Sequence, residues 1–445
     1  MACNDIKYSL GGAISVLVFL PWILGTRNGF LFLVVISIYI IWMIAKEVPG
    51  YSMVLMSVCL CNPVLVMTGI DTQVVTNTFY QIHYFLFLQP VFMAIITLLK
   101  GKRIPYVQPL FLSLVYIVLG LSFGDQIYNY LYVIVCTHVI FYVCYYDKVS
   151  MDKMYLILSI LFLITTIYTI LEFHFGWGPY NSVYETSRSY HSSYSISRAV
   201  GLLGNPLLLC SVAVIVLVSS LNRTFRNKRF PILVVLLCIY IMLIVVSRIA
   251  VIALIGVFLF YYILSGNRRS LSRFLFLIAL FVGAFLLAKY FFPDVLDNLL
   301  YRIRFSERGH RLSGIDTTIN ILSSNPFGLG SRDFGIKVLP YAGVGKEEGI
   351  NTLDNFFLTQ FAYYGILGFL MIYYYLFYFL RAFKYKTSCP EFFKQASLLF
   401  VGIILIGLSF DFEAYYHITI IVYGLLGILY SNYLRSPKPS LLKYD

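Results

Sequence analysis

From Arg223 to Arg273 the chain reads RTFRNKRFPILVVLLCIYIMLIVVSRIAVIALIGVFLFYYILSGNRRSLSR. Two basic runs, Arg223 to Arg229 and Arg268 to Arg273, bracket an apolar stretch from Pro231 to Leu264 whose only charge is Arg248. Lys and Arg collect in the cytoplasmic loops of membrane proteins, so both runs belong on one side and an even number of crossings separates them. Pro231 to Leu264 therefore reads as a tight hairpin of two short helices with Arg248 at its tip. Helices of about 16 residues, rising about 1.5 Å per residue, reach about 24 Å against a hydrocarbon core of about 30 Å. Arg248 is expected near the outer face, slightly recessed into the membrane.

The same two rules apply outward along the whole chain. Its 445 residues are 60% hydrophobic and 12% charged, with mean hydropathy +0.83, too apolar for a soluble globule with a polar surface. A membrane helix needs about 17–25 mostly apolar residues. Such runs are expected near residues 10–24, 29–45, 51–70, 80–99, 106–123, 127–146, 154–174, 203–221, 231–247, 249–264, 274–291, 358–380, 396–410 and 416–434. The expected fold class is an all-α polytopic membrane protein of about 14 transmembrane helices. Leu10 to Leu24 is read as a retained helix, since no small-residue cleavage site follows it. With both termini cytoplasmic, Lys100, Lys102, Arg103, Arg381, Lys384 and Lys386 join the two basic runs inside, and Asp411 and Glu413 mark the outer tip of the last hairpin.

The chain then divides into N-terminal transmembrane helices over 1–174, a middle extracytoplasmic loop over 175–202, and transmembrane helices with the Arg248 tip over 203–291. A large, partly helical extracytoplasmic loop over 292–357 and C-terminal helices with a cytoplasmic tail over 358–445 complete it. The net charge of +13 suggests nucleic acid, but its cytoplasmic clustering is the membrane-protein pattern and no nucleic-acid partner is expected. Of eight cysteines, Cys59, Cys61, Cys136, Cys144, Cys210 and Cys238 fall in apolar runs, Cys3 lies at the N-terminus and Cys389 in a Lys-rich loop. That placement supports neither a disulfide framework nor a metal motif, and no cofactor is expected.

Three motifs fall on the outer side. Arg198 leads through Gly201, Gly204 and Asn205 to Pro206, a loop arginine running into a Gly-rich helix start where backbone N–H groups and the helix dipole favour a phosphate. Taken alone, it reads first as an interfacial arginine before a helix. Ser247-Arg248-Ile249 places a guanidinium between two apolar helices, where a charge normally has a partner or a role, although at a hairpin tip it also snorkels cheaply to headgroups. The third motif runs from Arg308-Gly309-His310-Arg311 through Asn325-Pro326-Phe327-Gly328-Leu329-Gly330 and Arg332 to Asp354-Asn355-Phe356, then Tyr364-Gly365-Ile366-Leu367-Gly368. Its bland reading is a solvated basic face, a flexible glycine crossing and an N-capping Asp354. Within the loop, Asp294 to Phe305 and Ser313 to Leu322 are helix-capable, the latter stopped by Asn325-Pro326. The 38 Tyr and 38 Phe supply interfacial belts and are also expected to offer sugar-stacking surface.

In this order and spacing, over roughly 195 to 370, the motifs resemble those of the O-antigen polymerase and ligase superfamily of bacterial surface-polysaccharide assembly. The resemblance implies a GT-C-like helical glycosyltransferase, metal-independent and inverting, in the bacterial inner membrane. Its substrates would be undecaprenyl-pyrophosphate-linked glycans as donor and acceptor, and its further partners membrane lipids and a polysaccharide chain-length regulator. On this resemblance Arg198 and Arg248 contact the pyrophosphate as catalytic residues, with Asp354 or His310 orienting the attacking hydroxyl. Arg308, Arg311, Gly201, Asn205, Arg332 and Asn355 would bind substrate. Asp354 stands where ligases carry His, a departure that favours a Wzy-type polymerase over a ligase. The chemistry points independently to arginine, because the leaving pyrophosphate gathers negative charge that guanidinium groups stabilise bidentately. A lipid-linked oligosaccharide flippase is the rival of another class. It would show charges within its spans and two related halves, whereas this chain has few charges mid-helix and no evident repeat.

Overall fold

The structure is a computed structural model. It describes residues 90–91, 93–123, 127–146, 149–175, 199, 201, 206–221, 229–245, 248–265, 283, 290, 308–341, 353, 355–408 and 416–435, with the backbone alone described for 127–129, 132, 229, 248–251, 265, 308–313, 416–417 and 435. The helices expected near 10–24, 29–45 and 51–70, nearly all of 274–291, and most of both extracytoplasmic loops' remaining length lie outside the described residues.

Among the described residues every regular element is helical. In chain order these are α1 (Gln108–Ser122), α2 (Ile127–Ile134), a π-helical turn (Val135–Val139) and α3 (Ile140–Tyr145), then α4 (Met151–Phe175), α5 (Pro206–Leu221), α6 (Arg229–Ile244) and α7 (Arg248–Ser265). After them come α8 (Arg308–Ser324), α9 (Phe334–Lys337), α10 (Phe356–Tyr364), a 3-10 turn (Gly365–Leu367), α11 (Gly368–Ala382), α12 (Pro390–Gly407) and α13 (Tyr416–Tyr430). Three stretches, Met151–Phe175, Phe356–Tyr385 and Pro390–Gly407, are long and apolar enough to cross a membrane, and shorter apolar helices accompany them. The protein is thus a helical membrane protein. Around the expected Arg248 tip, α6 ends at Ile244 and α7 begins at Arg248.

The chain forms two compact units. The first comprises Met1–Arg103, Val139–Val245 and Ile420–Asp445. Its centre is α5, which is apolar all round and has Leu208 through Val218 buried as it packs on α4 and α6. A hydroxyl pair crosses this packing, with Tyr155 donating to Ser220 Oγ at 2.8 Å. Elsewhere in the unit Gly427 lets α13 approach α3, since a Cβ there would lie 2.6 Å from the Phe141 carbonyl oxygen.

The second unit comprises Ile104–His138 and Val246–Thr419. Here α7 packs on α12, with Gly256 against Leu405, and α11 packs on α1, α10 and α12. Its interior is a stack of tyrosines. Tyr116 and Tyr130 meet edge to face at 4.7 Å, the Tyr130 and Tyr364 hydroxyls share a hydrogen bond of 3.2 Å, and Thr137 pairs with the Tyr374 hydroxyl at 3.3 Å. Further along, His138 Nδ1 shares a hydrogen bond with the Tyr378 hydroxyl at 3.2 Å. These tyrosines are core rather than the sugar-stacking surface expected from their abundance. A phenol can be buried once its hydroxyl is paired, and here they pair with one another or with Thr137 and His138.

Candidate functional site

The second unit folds the third motif onto itself. The apolar run expected as one helix near 358–380 breaks at Gly365, whose backbone takes φ +57° and ψ −136°. A break in a membrane helix strands backbone groups that lipid cannot satisfy, and the chain around Asn325-Pro326 supplies their partners. The N–H of Leu329 donates to the Ala362 carbonyl (2.9 Å), that of Gly330 to the Tyr363 carbonyl (2.9 Å), and that of Ile366 to the Pro326 carbonyl (2.8 Å). The fit admits no side chain. A Cβ on Gly365 would lie 1.9 Å from the Pro326 oxygen, one on Gly328 2.4 Å from the Tyr363 oxygen, and one on Gly330 2.7 Å from Phe123 Cβ. Gly328 and Gly330 also hold positive φ, at +84° and +74°. At Gly328 and Gly330 the crossing expected to be flexible is therefore pinned, because Asn-Pro-x-Gly-x-Gly and Tyr-Gly-Ile-x-Gly are the two halves of one interlock.

A small core seals this junction. Ile321, Phe334, Val338, Leu353 and Ala362 are buried together, with Leu329, Tyr341, Leu358 and Tyr363 packed against them. Polar clips fasten its edge. Asn320 Nδ2 donates to the Tyr341 carbonyl at 3.3 Å, Asn325 Nδ2 donates to the Tyr341 hydroxyl at 2.5 Å, and Lys337 Nζ donates to the Leu329 carbonyl at 2.9 Å. This packing draws α8 alongside the start of α10, so that a Cβ on Gly314 would be 3.9 Å from the Leu353 oxygen. Gly314 lies one helical turn after Arg311, and Leu353 directly precedes Asp354 in the chain. Gly314 and Leu353, from the two ends of the motif's loop, thus lie side by side.

The expected site residues fall as follows. Arg308, His310 and Arg311 form the first turn of α8, which extends farther toward the N-terminus than the expected Ser313 start and has no acidic residue in that turn. Asn355, rather than Asp354, is the N-cap of α10. Its Oδ1 accepts from the Leu358 N–H at 3.1 Å, and its Nδ2 donates to the Leu408 carbonyl at 3.0 Å, tying α10 to the end of α12. Arg332 is exposed, and its Nε stands 3.6 Å from an Asp333 carboxylate oxygen. Arg248 is the first residue of α7. Arg198, Asn205 and Asp354 lie outside the described residues.

Gly201 belongs to the first unit and is held there from both sides. Its N–H donates to Glu172 Oε2 at 2.7 Å, and at φ +62° a Cβ would sit 2.4 Å from Thr169 Oγ1. Two residues earlier, the Ala199 N–H donates to the Ile244 carbonyl at the end of α6 at 3.3 Å. Arg198 is the next residue in the chain before Ala199, and Arg248 follows four residues after Ile244. Glu172 is buried near the end of α4, and sequence reasoning passed over it. The available signal was a carboxylate inside an otherwise apolar 25-residue helix, which in a membrane marks a functional or partnered position. Nearby, the His174 ring shares a hydrogen bond with the Tyr240 hydroxyl.

Among the described residues no group of three or more His, Cys, Asp or Glu side chains is placed to hold a metal ion. The cationic first turn of α8 is locally unfavourable, since Arg and His at the positive end of a helix dipole cost a few tenths of a kcal/mol each instead of adding stability. An anion at that turn would reverse the sign, meeting the dipole and the guanidinium groups together. A whole-chain comparison with curated proteins finds no match. Residues 232–373, which run from α6 through the interlock into α11, match the family described as O-antigen ligase, Wzy_C. This match supports the ligase and polymerase superfamily without separating one branch from the other.

Proposed function

We propose that the chain is a membrane glycosyltransferase that polymerises undecaprenyl-pyrophosphate-linked repeat units into surface polysaccharide at the outer face of the bacterial inner membrane, both termini being cytoplasmic. The observation that carries it is the first turn of α8, which bears Arg308, His310 and Arg311 with no acidic residue within that turn and leads into Gly314, which lies against Leu353. The family match over 232–373 supports glycan transfer as the class of reaction. Arg198 and Arg248 hold the donor pyrophosphate, since guanidinium groups stabilise the charge of a leaving phosphate bidentately.

In the reaction the acceptor hydroxyl oxygen forms a bond to the donor anomeric carbon from the face opposite the pyrophosphate. The bond from that carbon to the pyrophosphate oxygen breaks with its electron pair, and undecaprenyl pyrophosphate leaves. The hydroxyl proton passes to Asp354 or His310, either of which is a competent base. Charge gathering on the leaving phosphate is met by guanidinium groups rather than by a metal. Arg308 and Arg311 hold the second set of phosphates, and a chain-length regulator is the expected protein partner. Gly201, Asn205, Arg332 and Asn355 are the remaining substrate-binding candidates.

A ligase is the second reading, favoured by the description of the matching family, while Asp354 in place of His favours the polymerase. Purified protein given lipid-linked repeat units separates them. A product ladder formed without lipid A supports polymerisation, product formed only with lipid A supports a ligase, and no product with either acceptor overturns the enzymatic reading.

A further inference from the structure

About 20 Å along α11 from Gly368, at about 1.5 Å per residue, the helix ends at a second, unrelated feature. A cleft of about 570 Å³ opens there in the second unit, lined by Tyr106, Val107, Phe111, Leu112, Tyr373 and Arg381. The Arg381 guanidinium lies over the Tyr106 ring at 4.2 Å, and its Nε is buried with no hydrogen-bond partner among the described residues. Arginine was not singled out here by any motif.

Two apolar rails lead away from this cation. On α1 and just before it, Val107 is 69% exposed, Phe111 66%, Leu114 61% and Val118 65%, a helical repeat along one face. On α11, Phe369 and Tyr373 are exposed as well, and the two helices pack on each other. Charge is one-sided. Lys384 and Lys386 follow Arg381, and neither Ile104–Phe123 nor Ile366–Pro390 contains an Asp or Glu, Glu391 being the first carboxylate after Arg381 in the chain.

We propose that this cleft binds an anionic glycerophospholipid, with the lipid phosphate on Arg381 and an acyl chain lying along the rails of α1 and α11. A guanidinium takes a phosphate bidentately, basic pockets between membrane helices select anionic headgroups, and a zwitterionic headgroup would bring an unpaired cation into an already cationic mouth. The site does not depend on the reaction proposed above, and it lies at the opposite end of α11 from the interlock.

The test is native mass spectrometry of the detergent-purified full chain titrated with phosphatidylglycerol, phosphatidylcholine or a polyprenyl phosphate. Wild type is expected to retain phosphatidylglycerol at least about tenfold better than phosphatidylcholine, and Arg381→Gln to lose that preference, while Lys394→Gln, a change at a cation lying over the Tyr261 ring, keeps it. In parallel, a Phe111→Trp chain keeps Arg381, so that a folding failure of Arg381→Gln leaves the question answerable. Its added fluorescence should be quenched by dibrominated phosphatidylglycerol more than by dibrominated phosphatidylcholine. Equal binding of the two phospholipids, an unchanged preference in Arg381→Gln, or displacement of phosphatidylglycerol by the polyprenyl phosphate would each overturn the proposal.

Discussion

Replacing Gly365 by Ala tests the interlock where it is tightest. At φ +57° an alanine carries a backbone cost of about 1–3 kcal/mol, and its Cβ would stand 1.9 Å from the Pro326 oxygen. Two outcomes are open to the chain. If the Pro326–Gly330 crossing holds its place, the overlap costs about 1–3 kcal/mol as overpacking. If it gives way, three backbone hydrogen bonds are lost at about 0.5–1.5 kcal/mol each. Either way the total is on the order of 3–6 kcal/mol. Gly101→Ala is the matched control, because Gly101 also has positive φ (+71°) but, among the described residues, no atom within 4 Å of its Cβ position, so it carries the backbone cost alone. The difference, about 2 kcal/mol or more, corresponds to a Tm gap of roughly 4–8 °C for a folding unit of about 200 residues. The assay is thermal unfolding of the detergent-solubilised protein followed with a thiol-reactive dye, which reports exposure of the buried Cys136, Cys144, Cys210 and Cys238. Equal Tm values for the two variants would refute the interlock.

Asn355→Ala removes both a helix cap and a tie to Leu408 and should cost about 1–2 kcal/mol, whereas Asn355→Asp, which keeps the cap acceptor, should recover part of it. A Tm for Asn355→Asp no higher than that of Asn355→Ala would show that the cap is not what matters. Glu172→Leu strands the buried Gly201 N–H and should cost about 1–3 kcal/mol, measurable by the same unfolding assay, with no loss counting against the contact. Arg248→Lys should abolish most transfer in the purified assay despite keeping the charge, because lysine cannot make the bidentate contact; full activity would remove Arg248 from the pyrophosphate site. Transfer should persist in EDTA, and a loss restored by added divalent cations would contradict the metal-independent reading.

Long apolar runs between charged turns made the helices readable, and α4, α5, α6, α7, α12 and α13 lie where hydropathy and charge put them. Asn325-Pro326 ends α8 as proline chemistry requires. The break at Gly365 was not readable, because the surrounding run is uniformly apolar and the partners that satisfy its freed backbone lie more than thirty residues away along the chain. The α10 cap was misplaced by one residue, since Asp354 and Asn355 are equally able to cap and only the tie to Leu408 distinguishes them. That Tyr130 and Tyr364, 234 positions apart, satisfy each other in the core was not readable from composition. Of the third motif, the sequence supplied the residues but not the reason for them, which is that its two glycine pairs fit together and carry the Arg308–Arg311 turn with them.

The central claim is that guanidinium groups from separate stretches of the chain seize one lipid diphosphate. Binding of undecaprenyl pyrophosphate to the purified full-length protein, compared across wild type, Arg198→Ala, Arg248→Ala and the double change Arg308→Ala with Arg311→Ala, tests it most directly. Loss of one charge-assisted contact, worth about 1.5–3 kcal/mol, should weaken binding by about tenfold or more for each variant. Undiminished affinity in correctly folded Arg198→Ala and Arg248→Ala chains would contradict the account.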